Sequence, residues 1–364
     1  MTILSSRRLR SRRLVWAAPA VAAAAAVAIG TGLPGGSASA DEHPELPART
    51  AGQLLSALQG VSVDGLSGTV VQTSRLGLPE LPSTGGEATL TAQSFASGSR
   101  TLRIWAAGQD RQRVALLGQL SESDVVRNGS DVWTYTSATK EFTHLTLPAR
   151  DAAAPAPPPG GPSTPQQAAD AALTAIDPST AVDVDSTARV AGRPAYQLVL
   201  TPRDRRTLVG RVQLALDSET MLPLRVQVFG SESASPALEV GFTELSLKTP
   251  ADSVFSLSPP KGSTVTERAL PAGQPPAGTA GAPPAPAVRA GARVLGSGWT
   301  AVAVVPGVTV PSSPTLDRLT TAVPGGRLIT SSLLSVLLAD DGTVYAGAVR
   351  GGDLQQVAAT GRAL

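Results

Sequence analysis

Among the residues able to do chemistry, the histidines are the first to count, and there are two, His43 and His144. A site built on several imidazoles is excluded. His144 lies in a β-type stretch beside Phe142, and no G-x-S-x-G surrounds any serine, so a serine–histidine nucleophile has no local support. The absence of cysteine removes disulfides, thiolate metal sites, a cysteine nucleophile and a lipid anchor on cysteine. Asp183 and Asp185 would share one strand face, as paired carboxylates do. They read more simply as a solvated face with Val182 and Val184 turned inward. Asp217 and Glu219 fall in a hairpin loop, where turn chemistry accounts for them. Asp340-Asp341-Gly342 begins like a calcium loop, but the ligand series stops there. Arg203, Asp204, Arg205 and Arg206 make a local charge run, read as a solvated loop against an anionic headgroup contact. These residues point away from catalysis, and no cofactor is implied.

The elements that hold these residues are mostly strands. After a proline-punctuated arm at 41–48, Ala51, Leu54, Leu55 and Leu58 make one face of a short helix, closed by Gly60. From 65 to 146 the pattern is β, with a Pro- and Gly-rich loop at 76–86. Strands are expected at 68–73, 100–106, 111–117, 125–127, 132–135 and 142–145, with Asn128-Gly129 as a hairpin turn. Residues 148–163, mostly Ala, Pro and Gly, read as an extended insertion. Thr164, Pro165 and Gln167 then start a helix with Ala169, Ala172, Leu173 and Ile176 on its apolar side.

Clean alternation returns at 196–200, 211–217, 224–228 and 238–242, specifying strands with one buried and one wet face. Residues 259–291 read as a Pro/Gly/Ala linker. The remainder, 292–364, reads as a small βαββα unit. It has a strand at 299–305, a helix face of Leu316, Leu319, Thr320 and Val323, a hairpin of 333–338 with 343–349, and a helical tail at 354–359. The expected fold class is α+β: a curved antiparallel sheet of about nine strands covered by a few helices, plus a small α+β domain.

The first forty residues stand apart. Five arginines at 7–13 precede a sixteen-residue apolar run, 14–29, and Ala38-Ser39-Ala40 offers a cleavage site before Asp41. This is an export signal, with an uncleaved membrane anchor as the alternative. The protein is therefore expected outside the cytoplasm, on the outer face of the membrane or in the cell wall. The basic residues are 27 Arg and 3 Lys, the bias of a GC-rich genome. Without the first forty residues, 25 basic groups face 28 acidic ones, a net charge of −3, and nothing suggests nucleic-acid binding.

A sheet of this size with one apolar face needs a cover, and the few helices available leave room for a cavity. Alternation alone places Leu102, Ile104, Leu198, Leu214, Val226 and Phe242 on the ligand side, while Trp105 and Trp133 have ambiguous facing.

Three segments carry a family resemblance: Val190-Ala191-Gly192-Arg193-Pro194-Ala195-Tyr196-Gln197-Leu198-Val199-Leu200-Thr201-Pro202, then Leu216-Asp217-Ser218-Glu219-Thr220-Met221-Leu222-Pro223-Leu224-Arg225, then Phe255-Ser256-Leu257-Ser258-Pro259-Pro260-Lys261-Gly262. In this order, after an export signal, they resemble the LolA-type lipoprotein carriers and the N-terminal domain of the RseB/MucB sigma-factor regulators, over roughly 48–268. The stretch 298–349 is similar to the small second domain of RseB/MucB. The chain thus resembles an exported, two-domain, actinobacterial-type member. The resemblance implies an open half-barrel closed by helices, binding lipid, lipoprotein acyl chains or apolar peptides as carrier or sensor. Its regulator branch implies a membrane-anchored partner, such as the extracytoplasmic part of an anti-sigma factor. The organisation expected is 1–40 signal, 41–258 half-barrel, 259–291 linker and 292–364 second domain.

Overall fold

The computed structural model describes residues 44–78 except 60 and 62, 97–147 except 109, 119 and 120, then 164, 165, 169, 179–269, 291–309 and 314–364. The signal segment, the insertion at 148–163 and most of the second helix expected lie outside the described residues. Of that helix, Pro165 and Ala169 are helical and buried.

The arm at 44–50 leads into α1 (Ala51–Gln59). Thr50 and Gln53 close its start reciprocally: the Gln53 amide N–H donates to Thr50 Oγ1 at 3.3 Å, and the Thr50 N–H donates to Gln53 Oε1 at 2.9 Å. This is a capping box, which satisfies donors that the first helical turn leaves open. The arm is tied to the sheet where Tyr196 Oη donates to the Pro47 carbonyl at 2.9 Å and Thr187 Oγ1 to that of Pro44 at 2.7 Å.

Six strands then form an antiparallel run: β1 (Gly65–Arg75), β2 (Ser97–Ala107), β3 (Arg111–Leu117), β4 (Glu122–Asn128), β5 (Asp131–Thr136) and β6 (Glu141–Thr146). The hairpin turn falls one residue beyond the Asn-Gly pair: Asn128 ends β4 and pairs with Asp131, so Gly129 and Ser130 make the loop, with Gly129 at a left-handed φ of 63°. The second run is β7 (Thr180–Val184), β8 (Ala188–Val190), β9 (Arg193–Pro202), β10 (Val209–Asp217), β11 (Pro223–Gly230) and β12 (Pro236–Ser246). β12 returns to pair with β1, joining both runs into one open sheet. Along the path the order is β13-β6-β5-β4-β3-β2-β1-β12-β11-β10-β9-β7, with β8 paired to β9. The chain forms the expected half-barrel: a mostly antiparallel, unclosed sheet with few helices.

Three details differ from the sequence reading. The stretch read as a linker from 259 carries β13 (Thr264–Ala269), which pairs parallel to β6 in the register Thr264–Glu141 to Ala269–Thr146. Composition hid it, because the β-branched run Thr264-Val265-Thr266 is short and flanked by proline and glycine. Among the described residues the sheet has thirteen strands rather than about nine, since a strand as short as β8 gives too few alternations to register. Val184 is 37% exposed, not turned inward, because β7 is an edge strand paired only to β9.

The C-terminal part is a six-stranded sheet of β14 (Arg293–Leu295), β15 (Val302–Val305), β16 (Thr321–Val323), β17 (Gly326–Thr330), β18 (Ser335–Ala339) and β19 (Val344–Gly347), in the order β14-β15-β19-β18-β17-β16. The helix expected through Val323 is shorter, α2 (Pro314–Leu319). Thr321 to Val323 instead pair with β17 around Pro324-Gly325, a turn that favours a hairpin over a continued helix. The tail is α3 (Gly351–Thr360), whose Leu354 and Val357 bury against Val302, Val304 and Leu337.

This second sheet is joined to the rim of the first. Thr207 bridges Val349, and the Leu208 N–H donates to the Ala348 carbonyl at 2.7 Å. Trp299 Nε1 donates to Thr180 Oγ1 at 2.8 Å, and the Ser332 N–H to the Leu76 carbonyl at 2.9 Å. Residues 43–364 accordingly form one compact unit.

Candidate functional site

The inner face of the half-barrel, on the side of α1, is built by register. Leu198 pairs with Leu214, Leu214 with Val226 and Val226 with Val240, so one apolar row runs from β9 to β12. A second row sets Phe242 opposite Val70 and Val70 opposite Leu102. Period-two alternation thus converts into a continuous surface, on which α1 lays Leu54 and Leu58. All six aliphatic and phenyl positions expected from alternation lie here: Leu102, Leu198 and Leu214 at 0% exposure, Val226 at 3%, Ile104 and Phe242 at 6%. Each large apolar side chain buried this way contributes about 1.5–3 kcal/mol.

Phe242 has a local requirement. A Cβ on Gly68 would lie 2.9 Å from the Phe242 ring and 2.5 Å from the Glu244 carbonyl oxygen, so only glycine lets β1 pass under the ring, beside the bulge between Thr69 and Val70.

The face is not wholly apolar. Val240 pairs with Gln72, which is 4% exposed on the same side as Val70. Its Oε1 is buried without a hydrogen-bond partner. Such an acceptor costs stability unless something donates to it. Sequence reading missed Gln72, although a glutamine at an inward position of the strand 68–73 was the available signal.

Trp105 and Trp133 are not part of this face. The register Trp105–Arg113 and Trp133–His144 turns both to the outer side, where they pack around Phe255, Ala107 and Val126. Arg113 stacks 5.3 Å from the Trp105 ring centre and makes a two-point ion pair with Asp124, Nε–Oδ1 2.9 Å and Nη2–Oδ2 3.0 Å. Phe255 sits in a 3-10 turn (Asp252–Phe255) within a strap, 247–263, that crosses the outer face from β12 towards β13. Arg111 fastens the turn by pairing with Asp252. The Phe255-Ser256-Leu257 segment therefore works as a cover for the outer face, while the two tryptophans support the sheet.

Among the described residues, α1 packs Leu54 and Leu58 directly on the inner face where the cavity was expected. A cleft of about 850 Å³ lies on the other side of α1, lined by Pro47, Arg49, Gln53 and Ser56 among others, and none of the alternation residues lines it. α1 is a nine-residue helix held by its cap, by Leu54 and Leu58 and by the two bonds to the arm.

The remaining charged candidates are structural. Arg206 is paired with Asp204 in the β9–β10 loop at 2.6 Å. Asp340 and Asp341 occupy the β18–β19 turn, where Asp341 accepts from the Thr343 N–H at 2.8 Å. His144 has carboxylates at both ring nitrogens.

Residues 87–261 match the family model of the MucB/RseB N-terminal domain. Over these residues the half-barrel is thus similar to the MucB/RseB N-terminal domain. No curated protein matches the chain significantly. Among solved structures, the complex of Pseudomonas aeruginosa MucA/MucB is similar at 19% identity, covering 85% of this chain and 96% of that one, with a TM-score of 0.41. An uncharacterized conserved protein from Thermus thermophilus is 14% identical over 60% of this chain and 99% of its own, TM-score 0.34. A LolA superfamily protein from Nitrosomonas europaea is 11% identical over 58% and 99%, TM-score 0.23.

Proposed function

We propose that the protein is an exported, non-catalytic binding protein that takes an acyl chain or apolar peptide on the inner face beneath α1, as carrier or sensor. The observation that carries this is the continuous apolar surface from β9 to β2, on which the short, tethered α1 packs with Ala169. The unpartnered Gln72 Oε1 supports a ligand with an amide N–H, as in an acylated or peptide chain. Against catalysis stands His144, whose two nitrogens are both engaged by carboxylates and so are not available to activate a serine. Residues 1–40 serve as export signal, 41–258 as binding body and 292–364 as second body.

Native mass spectrometry of exported protein, residues 41–364, with organic extraction tests this reading. A lipid- or peptide-sized adduct is expected, lost in Leu214→Trp with circular dichroism unchanged. A clean apo mass after incubation with lipids and lipopeptides would overturn it.

The MucB/RseB family match favours a second reading, in which the same protein binds the extracytoplasmic part of a membrane-anchored regulator such as an anti-sigma factor. The second sheet, locked to the half-barrel rim at Thr207–Val349, gives such a partner a rigid two-part surface. Capture of a purified extracytoplasmic domain by the full chain is the expected result.

A further inference from the structure

His144 has no part in the inner face, yet its surroundings are specific. His144 Nε2 lies 2.9 Å from Asp131 Oδ1 on β5, and Nδ1 lies 2.8 Å from Glu267 Oε2 on β13. The ring stacks on Trp133 with centroids 4.2 Å apart and planes 15° from parallel. A neutral imidazole carries one N–H and can donate to one carboxylate; the other would then face a lone pair. Only the imidazolium donates to both, and the indole face favours that cation further.

Glu267 belongs to the strand that ends the half-barrel sheet. Among the described residues β13 is paired along one side, to β6, and it follows the strap that carries Phe255. We propose that His144 is a proton-dependent latch that fastens β13 to the sheet and releases it, with the adjoining end of the strap, as the surrounding pH rises.

Burial pushes the imidazole pKa down, but the hydrogen bonds and charges of Asp131 and Glu267 outweigh it and hold the value above 6.5. The stabilisation is thus complete below 6.5 and is lost as pH rises through the elevated value. The charged groups facing the ring are Asp131 from β5 and Glu267 from β13, and Glu141 of β6 falls on the opposite face by alternation. The far end of the strap is held separately, by the pair of Arg111 and Asp252. Opening is therefore confined to the β13 end, where it uncovers the side of the Trp133 and Phe255 cluster.

The test uses full-length protein with His43→Gln, leaving one imidazole. Its titration is followed by side-chain NMR, and hydrogen exchange of 259–269, corrected for intrinsic rates, is measured from about pH 6 to 9. A midpoint above 6.5 is expected, moved down by Glu267→Gln, with protection of 259–269 falling across it. His144→Gln removes the pH dependence of that protection. A midpoint at or below 6.5, or protection that does not change with pH, overturns the latch. Glu267 is 70% exposed, so its variant keeps the test decisive if His144→Gln unfolds.

Discussion

Arg193 closes on Asp217 with two parallel bonds, Nε–Oδ1 at 2.6 Å and Nη2–Oδ2 at 2.9 Å, at the point where β9 begins and β10 ends. Asp217 is 1% exposed and also accepts from the Thr220 N–H at 2.9 Å and hydroxyl at 2.8 Å. Oδ2 thus accepts three bonds and Oδ1 one. The knot joins two of the family-like segments and shapes both turns: Ala191-Gly192 takes left-handed φ of 49° and 76°, and Met221 one of 61°.

Neutralising Asp217 leaves Arg193 with its exposed partner Glu219 at 2.9 Å, but strips the buried turn of a charged acceptor. Asp217→Asn is expected to cost about 1–3 kcal/mol, read as a lower urea midpoint. Burial raises the Asp217 pKa, but the bonds from Arg193 and Thr220 lower it more, to below 3.8. Its contribution is present above 3.8 and lost as pH falls through the depressed value, so stability of the wild type drops in that acid window while that of Asp217→Asn changes less.

Gly68→Ala places a Cβ against the Glu244 carbonyl and the Phe242 ring. Because one contact is backbone, the strand must shift, and a loss of about 1–3 kcal/mol is expected. Thermal unfolding of the single variant measures it, and an unchanged melting temperature would show that β1 yields without cost.

Phe255→Ala removes the buried ring that holds the strap to Ala107 and Val126. A loss of about 3–5 kcal/mol at the site exceeds what the short strap can hold by its other contacts. Hydrogen exchange should rise over 250–260, and Trp105 and Trp133 emission should shift red. The inner face should keep its protection, since Phe255 does not touch it.

Gln72→Leu replaces a buried acceptor without a partner by an apolar group. Stability should rise by about 1 kcal/mol, because a desolvated oxygen is removed. Binding of an amide-bearing ligand should weaken more than binding of a plain fatty acid, compared by isothermal titration.

Much of this was legible in the sequence where alternation was long. The runs at 196–200, 211–217, 224–228 and 238–242 each gave enough residues to assign an inward set, and all six positions chosen from alternation alone share the inner core. Trp105 and Trp133 show the limit. Trp105 sits in a strand whose two faces are both apolar, one in the inner core and one under the strap, and Trp133 in a short strand, DVWTYT, with an aromatic face against a Val-Thr-Thr face, so period two cannot say which side is which. The strap made the second apolar face necessary, and a single passage of 247–263 over the sheet has no periodicity to read. β13 was hidden for the same reason, since a strand added in parallel at an edge needs no neighbouring hairpin.

The central claim, that the ligand lies between α1 and the inner face, is tested most directly by photo-cross-linking. Residues 41–364 are loaded with a diazirine-bearing acyl amide, irradiated and mapped by peptide mass spectrometry. Labelling is predicted on the peptides that carry Leu54, Leu58, Leu214 and Val226, and it should disappear on competition with unlabelled acyl amide. Labelling confined to the outer face around Trp105 and Trp133, or none at all, would contradict it.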